Sequence, residues 1–315
     1  MGVAEEMAVM QREATAFLAA LHPHQVPVAT RGFDAEADRR WIEYRPEPRP
    51  GVSLADLGLE ARKAAHRLLA TALSPPAFAQ AMSVIALEEV LDRREHYVRH
   101  RHSEDYKVIV FGRPGDERWA WRFEGHHISV TMTVVDGVIS PAPVFLGANP
   151  ARVDLAGRPV LRPLGVEEDL GRELLLAMAP ATRRRAVTTD EAPWDVHSSF
   201  RATAHALEPL GVAKKDLRPG ERDLLDQLVG VYLGRLPAEL AAALARTMGE
   251  PHFAWEGPPG PGVRHYYRIQ ADDLLIEFDN TTDDGNHAHT VLRRPRGDFG
   301  GDILAAHHAG PSHSL

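Results

Sequence analysis

Along the first hundred residues apolar positions recur at helical spacing, and from Tyr106 the period drops to two. Met7, Met10, Phe17, Leu18 and Leu21 form one face of an opening helix. Two further helices are predicted over Gly58–Leu73 and Ala77 to about His96, the second with Ile85, Leu87, Val90 and Leu91 on its apolar face. Trp41, Ile42 and Tyr44 read as a short strand between them. The alternating region opens with a strand at Lys107–Phe111 and a turn at Arg113-Pro-Gly-Asp116. A long β stretch then runs from Arg118 to Val135, interrupted or bent at Gly125, and Asp136-Gly137 is a hairpin turn. Leucine-rich helices return at Gly165–Met178 and Pro219–Met248, the latter breaking at Gly234 or Pro237. The Pro/Gly run Glu256–Gly262 excludes helix and central strand. Beyond it HYYRIQ, LLIEFDN and HAHTVLR resume the β period.

The fold class that follows is α+β, with one or two antiparallel sheets built from two β regions and packed among helices. The expected organisation is an N-terminal helical arm over 1–50, a single domain over 51–308 and a frayed polar tail over 309–315. The segment Trp121-Arg-Phe-Glu-Gly-His-His-Ile-Ser-Val130 also lines up with Tyr267-Arg-Ile-Gln-Ala-Asp-Asp-Leu-Leu-Ile276. Both read aromatic, Arg, apolar, acid or amide, small, two polar residues, then a strand. Two amphipathic hairpins share such a pattern by chance or by repetition; repetition would let the polar residues of the two β regions meet.

Composition narrows the chemistry. The 315 residues suffice for a sizeable core, and 44% hydrophobic with 25% charged residues is ordinary for a globular chain. A net charge of −8 argues against a general nucleic-acid partner, because phosphates are neutralised by clustered Lys and Arg. The early acids and broken apolar run of the N-terminus do not make a secretory signal, and no stretch has the length of a membrane span, so a cytoplasmic protein is expected. There is no cysteine. A metal would therefore need nitrogen and oxygen ligands, which leaves Zn, Fe, Mn or Cu on imidazole and carboxylate.

The richest run is Leu275-Ile-Glu-Phe-Asp-Asn280, a turn at Asp283-Asp284-Gly285, and Asn286-His-Ala-His289. Residues two apart on a strand share a face, so His287 and His289 point the same way with Val291, while Glu277 and Asp279 share a face of the preceding strand. Antiparallel pairing brings such faces within about 5 Å at Cβ, the arrangement of a two-histidine, one-carboxylate metal site with open positions. The same residues could instead be a solvated Asx-rich hairpin. In Gly125-His126-His127, a continuous strand would split the two histidines between faces, whereas a turn would put both at a hairpin tip. In Gly297-Asp-Phe-Gly-Gly-Asp302, Asp298 or Asp302 could cap the helix of Ile303 and Leu304, and His307 or His308 could add a ligand. The Asp-Phe-Gly triplet lacks every accompanying kinase element. Phe145-Leu-Gly-Ala-Asn-Pro150 reads as a loop, either a purely structural turn at Asn149-Pro150 or one in which Gly147 lets backbone approach a ligand.

The segments WAWRFEGHHISVT, VFLGANPARV, HYYRIQADDLLIEFDNTTDDGNHAHTVLR and GDFGGDIL together resemble an uncharacterised family, domain of unknown function 3500, from about Gly51 to His308. The resemblance implies no activity; it implies that the GHH, FLGANP, EFDN and NHAH segments belong to one unit. The residues themselves point to a metal-dependent enzyme, hydrolytic or oxidative, acting on a small molecule. Its divalent ion would be held by His287, His289 and His127, Glu277, Asp279 and His126 would serve as ligand, base or proton shuttle, and Asn149, Arg268 and Asn280 would contact the substrate. The alternative is a non-catalytic protein that grips a small anion with the histidines and Arg268 or Arg293.

Overall fold

The computed structural model describes residues 2–309, with side chains through His307; beyond Ala309 the polar tail lies outside the described residues, as does the side chain of His308. In chain order the first half contains helices α1 (Val3–Ala19) and α2 (Val26–Ala29), strand β1 (Thr30–Arg31), a helical turn α3 (Glu36–Arg39), strand β2 (Val52–Ser53), and helices α4 (Leu59–Ala72) and α5 (Pro75–Arg94). Strands β3 (Lys107–Phe111), β4 (Arg118–Gly125), β5 (Ile128–Val135), β6 (Val138–Ser140) and β7 (Val144–Ala148) complete it. A small hairpin, β8 (Val153–Leu155) with β9 (Arg158–Leu161), leads to the second half. That half runs through α6 (Gly165–Ala177), α7 (Pro180–Ala186), β10 (Val187–Thr189), β11 (Val212–Ala213), α8 (Pro219–Leu233) and α9 (Ala238–Thr247). It ends with β12 (His252–Glu256), β13 (Tyr266–Ala271), β14 (Leu274–Thr282) and β15 (His287–Arg293), and α10 (Gly301–Ala309) closes the described chain.

One mixed, mostly antiparallel sheet carries both β regions, in the order β1-β3-β4-β5-β7-β15-β14-β13-β12-β10. Read from either end the order is the same design. Each terminal short strand runs parallel to its neighbour, and β2 and β11 add antiparallel to β3 and β12. The segments leading into the helices also match: Gly51-Val-Ser-Leu-Ala-Asp-Leu57 and Gly211-Val-Ala-Lys-Lys-Asp-Leu217 each form a strand, a 3₁₀ turn and then a helix, and both glycines have positive φ. The two hairpins that align in sequence are β4–β5 and β13–β14, in corresponding places. The fold is therefore two like halves joined edge to edge where β7 pairs antiparallel with β15.

Alternation along the central strands divides the core. Ala288 and Leu292 of β15, Leu146 of β7 and Ile276 of β14 face the helical layer, in a cluster that also holds Leu68 and Leu69 of α4, Leu175 of α6 and Leu228 of α8. Val291, Phe145, Ile42, Tyr44, Val196 and Phe299 form a separate cluster on the opposite face, which is covered by loops rather than helices. Among the described residues no helix is long and apolar enough to cross a membrane.

Of the two alternatives at Gly125 the chain takes the turn: Gly125 pairs with Ile128, and His126 and His127 are the hairpin tip. Three readings change. Val144–Ala148, read as loop, is the central strand β7; both its edges are paired, which suits its uninterrupted apolar run, and Gly147 and Asn149-Pro150 disguised it. Trp41–Tyr44 is not a strand, although Ile42 and Tyr44 are buried. Residues 1–50, read as an arm, pack α1 against α4 and place β1 in the main sheet.

Candidate metal centre

The β14–β15 register sets Asp279 opposite His289, and a bulge beyond Asp279 leaves Thr282 opposite His287. On the other edge of β15, His289 lies opposite Gly147 of β7. The tip of β4–β5 reaches over this point from the first half. His127 has φ 62, and its backbone is fixed by Tyr44 O, which accepts from its N–H at 2.9 Å, and by Gly147 N–H, which donates to its carbonyl at 2.8 Å. Gly125 sets the tip's base: a Cβ there would lie 2.2 Å from the Tyr106 ring, whose hydroxyl donates to His126 O at 2.8 Å. Gly147 makes room for the imidazole, since a Cβ at that position would lie 2.6 Å from His127 Cδ2.

The three imidazoles converge. His127 Nε2 is 2.7 Å and His289 Nε2 is 3.0 Å from His287 Nε2. On the far side of His289, Nδ1 meets two carboxylates, Asp195 Oδ1 at 2.9 Å and Asp279 Oδ2 at 3.2 Å. Ionised carboxylates only accept, so Nδ1 carries a proton and Nε2 is the nitrogen turned toward the other two rings. Tyr44 donates its hydroxyl to Asp195 Oδ2 at 2.7 Å and stacks on Phe145 at 3.9 Å between ring centroids. Asn149 Nδ2 stands 3.1 Å from Asp283 Oδ2 and 3.4 Å from His287 Nδ1.

Burial sets the protonation states. It drives His287 down to about 3, with the charge on His289 adding to the effect, and it depresses His127 and His126 well below the ordinary imidazole range. For His289 burial also opposes the charge, but Asp279 and Asp195 outweigh it and push the imidazole up to about 10. Burial raises Asp279. Asp195 experiences the same penalty, yet its hydrogen bonds with His289 and Tyr44 hold it below the usual carboxylate range.

These positions fit a cation. An imidazole nitrogen has one lone pair or one proton, so His287 Nε2 cannot satisfy two nitrogen neighbours at 2.7 and 3.0 Å with hydrogen bonds alone. Zn–N bonds of about 2.0–2.1 Å imply a tetrahedral N···N edge of roughly 3.3 Å, about 0.3–0.6 Å longer than the two separations of 3.0 and 2.7 Å. His127, His287 and His289 thus supply three nitrogen donors, and the carboxylates behind His289 are the outer partners that metal-bound histidines usually have. Other acid and histidine groups close enough to hold an ion are already engaged. Asp195 and Asp279 are turned to Nδ1 of His289. Glu88 Oε1 is 2.5 Å from His126 Nδ1, with the Arg101 guanidinium 3.4 Å from the same nitrogen, where it would repel a metal.

The remaining sequence candidates are distributed as follows. His126 packs against His127 with 3.7 Å between ring centroids and the planes tilted by 35°. Glu277 lies one pleat from Asp279 and accepts from the Tyr266 hydroxyl at 2.9 Å and from Ser198 N–H at 3.2 Å. Arg268 is buried against Glu256 at 2.8 Å and also donates to Pro209 O; Arg293 is buried against Asp298 at 2.6 Å. Asn280 closes the 263–265 turn, accepting from His265 N–H at 2.7 Å. Arg268 and Asn280 are thus occupied by the fold rather than facing the histidines. Asp298 caps no helix, being held by Arg293 and Arg294 N–H. His307 lies with Asp136, at 2.5 Å, in a cluster separate from the three histidines. Tyr44, Glu88 and Asp195 are additions that no spacing in the sequence pointed to.

A model of the family described as "Protein of unknown function (DUF3500)" matches residues 3–301. The chain belongs to this family. No curated protein and no solved structure matches it. The DUF3500 match begins far before Gly51, where the resemblance in the motifs starts, and so takes in Tyr44 along with the three histidines and both carboxylates; it ends short of His307.

Gly147 yields a direct test of the geometry. Gly147→Ala leaves a permitted backbone but places a methyl group against the His127 ring and 3.1 Å from Ala288 O. The tip must move, so metal affinity is expected to fall by about 10–100-fold, the scale of misorienting a ligand, with the circular dichroism spectrum retained. Unchanged affinity by competition with a chelating dye would show that His127 is not a ligand.

Proposed function

We propose that this DUF3500 protein is a metal-dependent enzyme acting on a small molecule, with its divalent ion held by His127, His287 and His289. The observation that supports this reading is the single lone pair of His287 Nε2 facing two further imidazole nitrogens, at 2.7 and 3.0 Å. Three histidines leave a coordination position free, the pattern of catalytic rather than closed structural sites. A divalent ion there would act as a Lewis acid on a substrate oxygen, in hydrolysis with Zn or in oxidation with Fe or Cu. The protein's own part is orientation: Asp195 and Asp279 retain the Nδ1 proton of His289, and Tyr44 fixes Asp195. Glu88 and His126 hold a proton beside His127; burial lifts Glu88 to about 8. The rival reading, an anion gripped by Arg268 or Arg293, is less well supported because both guanidiniums are buried in ion pairs.

Calorimetric titration of tag-free, metal-free protein with Zn²⁺ in buffers of different ionisation enthalpy tests the assignment. His289, pushed up to about 10, is protonated at pH 7.5, whereas His287, driven down to about 3, is neutral there, as is the depressed His127. Metal and proton compete for Nε2 of His289, so binding should release about one proton and strengthen about tenfold per pH unit from pH 6 to 9. Absence of saturable binding, or binding with no proton release, would refute it.

A further inference from the structure

We infer that the cavity lined by the 46–49 loop, Lys107 of β3 and His126 binds a small oxyanion, a carboxylate or phosphate group, and that the substrate of the proposed metal centre carries that group. The cavity has a volume of about 510 Å³ and adjoins the proposed metal centre through His126, which lines it and packs against the His127 ring. The size is that of a small-molecule site.

Charge is the reason. In a chain of net charge −8, this cavity gathers Arg49, Arg99, Arg101 and Lys107. Arg49 is 9% exposed, and its guanidinium donates to the backbone carbonyls of Glu43, Arg45 and Glu47, with no carboxylate at ion-pair distance among the described residues. Its hydrogen bonds are satisfied, but the acids that act on its charge, Glu124 and Glu43 first, do so only through space and are themselves ion-paired with Arg122 and Arg45, so the buried guanidinium has no direct counter-ion. Lys107 also lacks an ion-pair partner among the described residues. Arg99 and Arg101 share one carboxylate, Glu95, at 3.7 and 2.8 Å. None of the acids lining the cavity is ion-paired with these cations: Glu88 is turned to His126, Asp105 is bridged to His102 at 3.2 Å, and Glu47 is exposed. An anion would supply the missing counter-charge through charge-assisted hydrogen bonds.

The word substrate rests on the metal-centre reading; the anion site does not, so the two are tested apart. Metal-free, tag-free protein is titrated at constant ionic strength with inorganic phosphate and with succinate, sodium chloride being the reference, and followed by thermal melting and calorimetry. Saturable stabilisation by at least one of the two anions is expected; response to phosphate alone or succinate alone identifies the group. Arg49 anchors its loop, so Lys107→Gln and Arg101→Gln are the variants, each expected to weaken binding about tenfold or more while Zn²⁺ stoichiometry stays unchanged. No saturable effect of either anion beyond chloride, or binding that neither variant alters, overturns the anion site. Anion binding without Zn²⁺ binding would retain the anion site and remove the metal centre.

Discussion

If the proposed centre holds an ion, the double variant His287→Ala, His289→Ala is expected to purify without the one equivalent of divalent metal expected of the wild-type chain. Each substitution removes a nitrogen from a three-nitrogen set, and losing a ligand outweighs losing an outer partner, which already costs about 10–100-fold in affinity. A loss well beyond 100-fold is expected for the pair. The fold should survive: both residues lie toward one end of β15, whereas the packing that secures this strand comes from Leu292, Val291 and Thr290. Elemental analysis and far-ultraviolet circular dichroism on the same preparation decide the matter. Full metal content in a folded double variant would place the ion elsewhere and remove the basis for the enzyme reading.

Arg235→Leu will produce the largest loss of stability expected of a residue remote from the centre. Arg235, 2% exposed, joins the helical layer to the middle of the sheet. One nitrogen reaches Glu167 Oε1 of α6, and another donates at 2.9 Å to the Thr290 hydroxyl, which itself donates to Leu146 O of β7 at 2.7 Å. Gln80 of α5 adds a bond to Glu167 at 2.9 Å. Leucine would fill much of the space but leave Glu167, 1% exposed, charged and without its cation. Breaking a buried pair from one side costs about 3–5 kcal/mol, whereas replacing both partners by apolar residues can be nearly neutral. Urea unfolding should therefore show a large loss for Arg235→Leu and recovery of much of it when Glu167→Leu is added. A loss below about 1 kcal/mol for the single variant would mean that Glu167 readily takes up a proton or finds water.

What could be read beforehand follows from how each part is encoded. The β14–β15 hairpin was legible because β15 keeps period two and Asp283-Asp284-Gly285 marks the turn, so the shared face of His287 and His289 followed from period two, although the bulge beyond Asp279 did not. The role of Gly125-His126-His127 was legible only as two alternatives, since a glycine inside a strand pattern signals either a bend or a turn. Tyr44 and Asp195 were not legible. They sit in irregular loops, where no periodicity relates a residue to its neighbours, and they meet across the face of a sheet whose strand order only the three-dimensional structure reveals. Arg268 and Asn280 were misleading for the converse reason. Polar residues on a strand near a suspected site look available until burial shows them committed to Glu256 and to the 263–265 turn. The pairing of halves was visible as one aligned hairpin, but the matching Gly51 and Gly211 segments become evident only when both are seen to lead from an outer strand into a helix.

The seam between β7 and β15 makes the three-histidine cluster a joint possession. One ring arrives from the amino-terminal half and two from the carboxy-terminal half, and where the first half's hairpin ends in His126-His127 the second ends in Asp272-Asp273, whose Asp273 is tied to Arg294 at 2.7 Å. The two corresponding tips thus differ, one bringing an imidazole to the histidine cluster and the other held in a salt bridge. Chain fragments severed in the β8–β9 linker would each keep a recognisable sheet fragment yet neither could assemble a three-nitrogen set; only their reunion could, so an ion captured there would act as a clasp on the seam as well as a reagent.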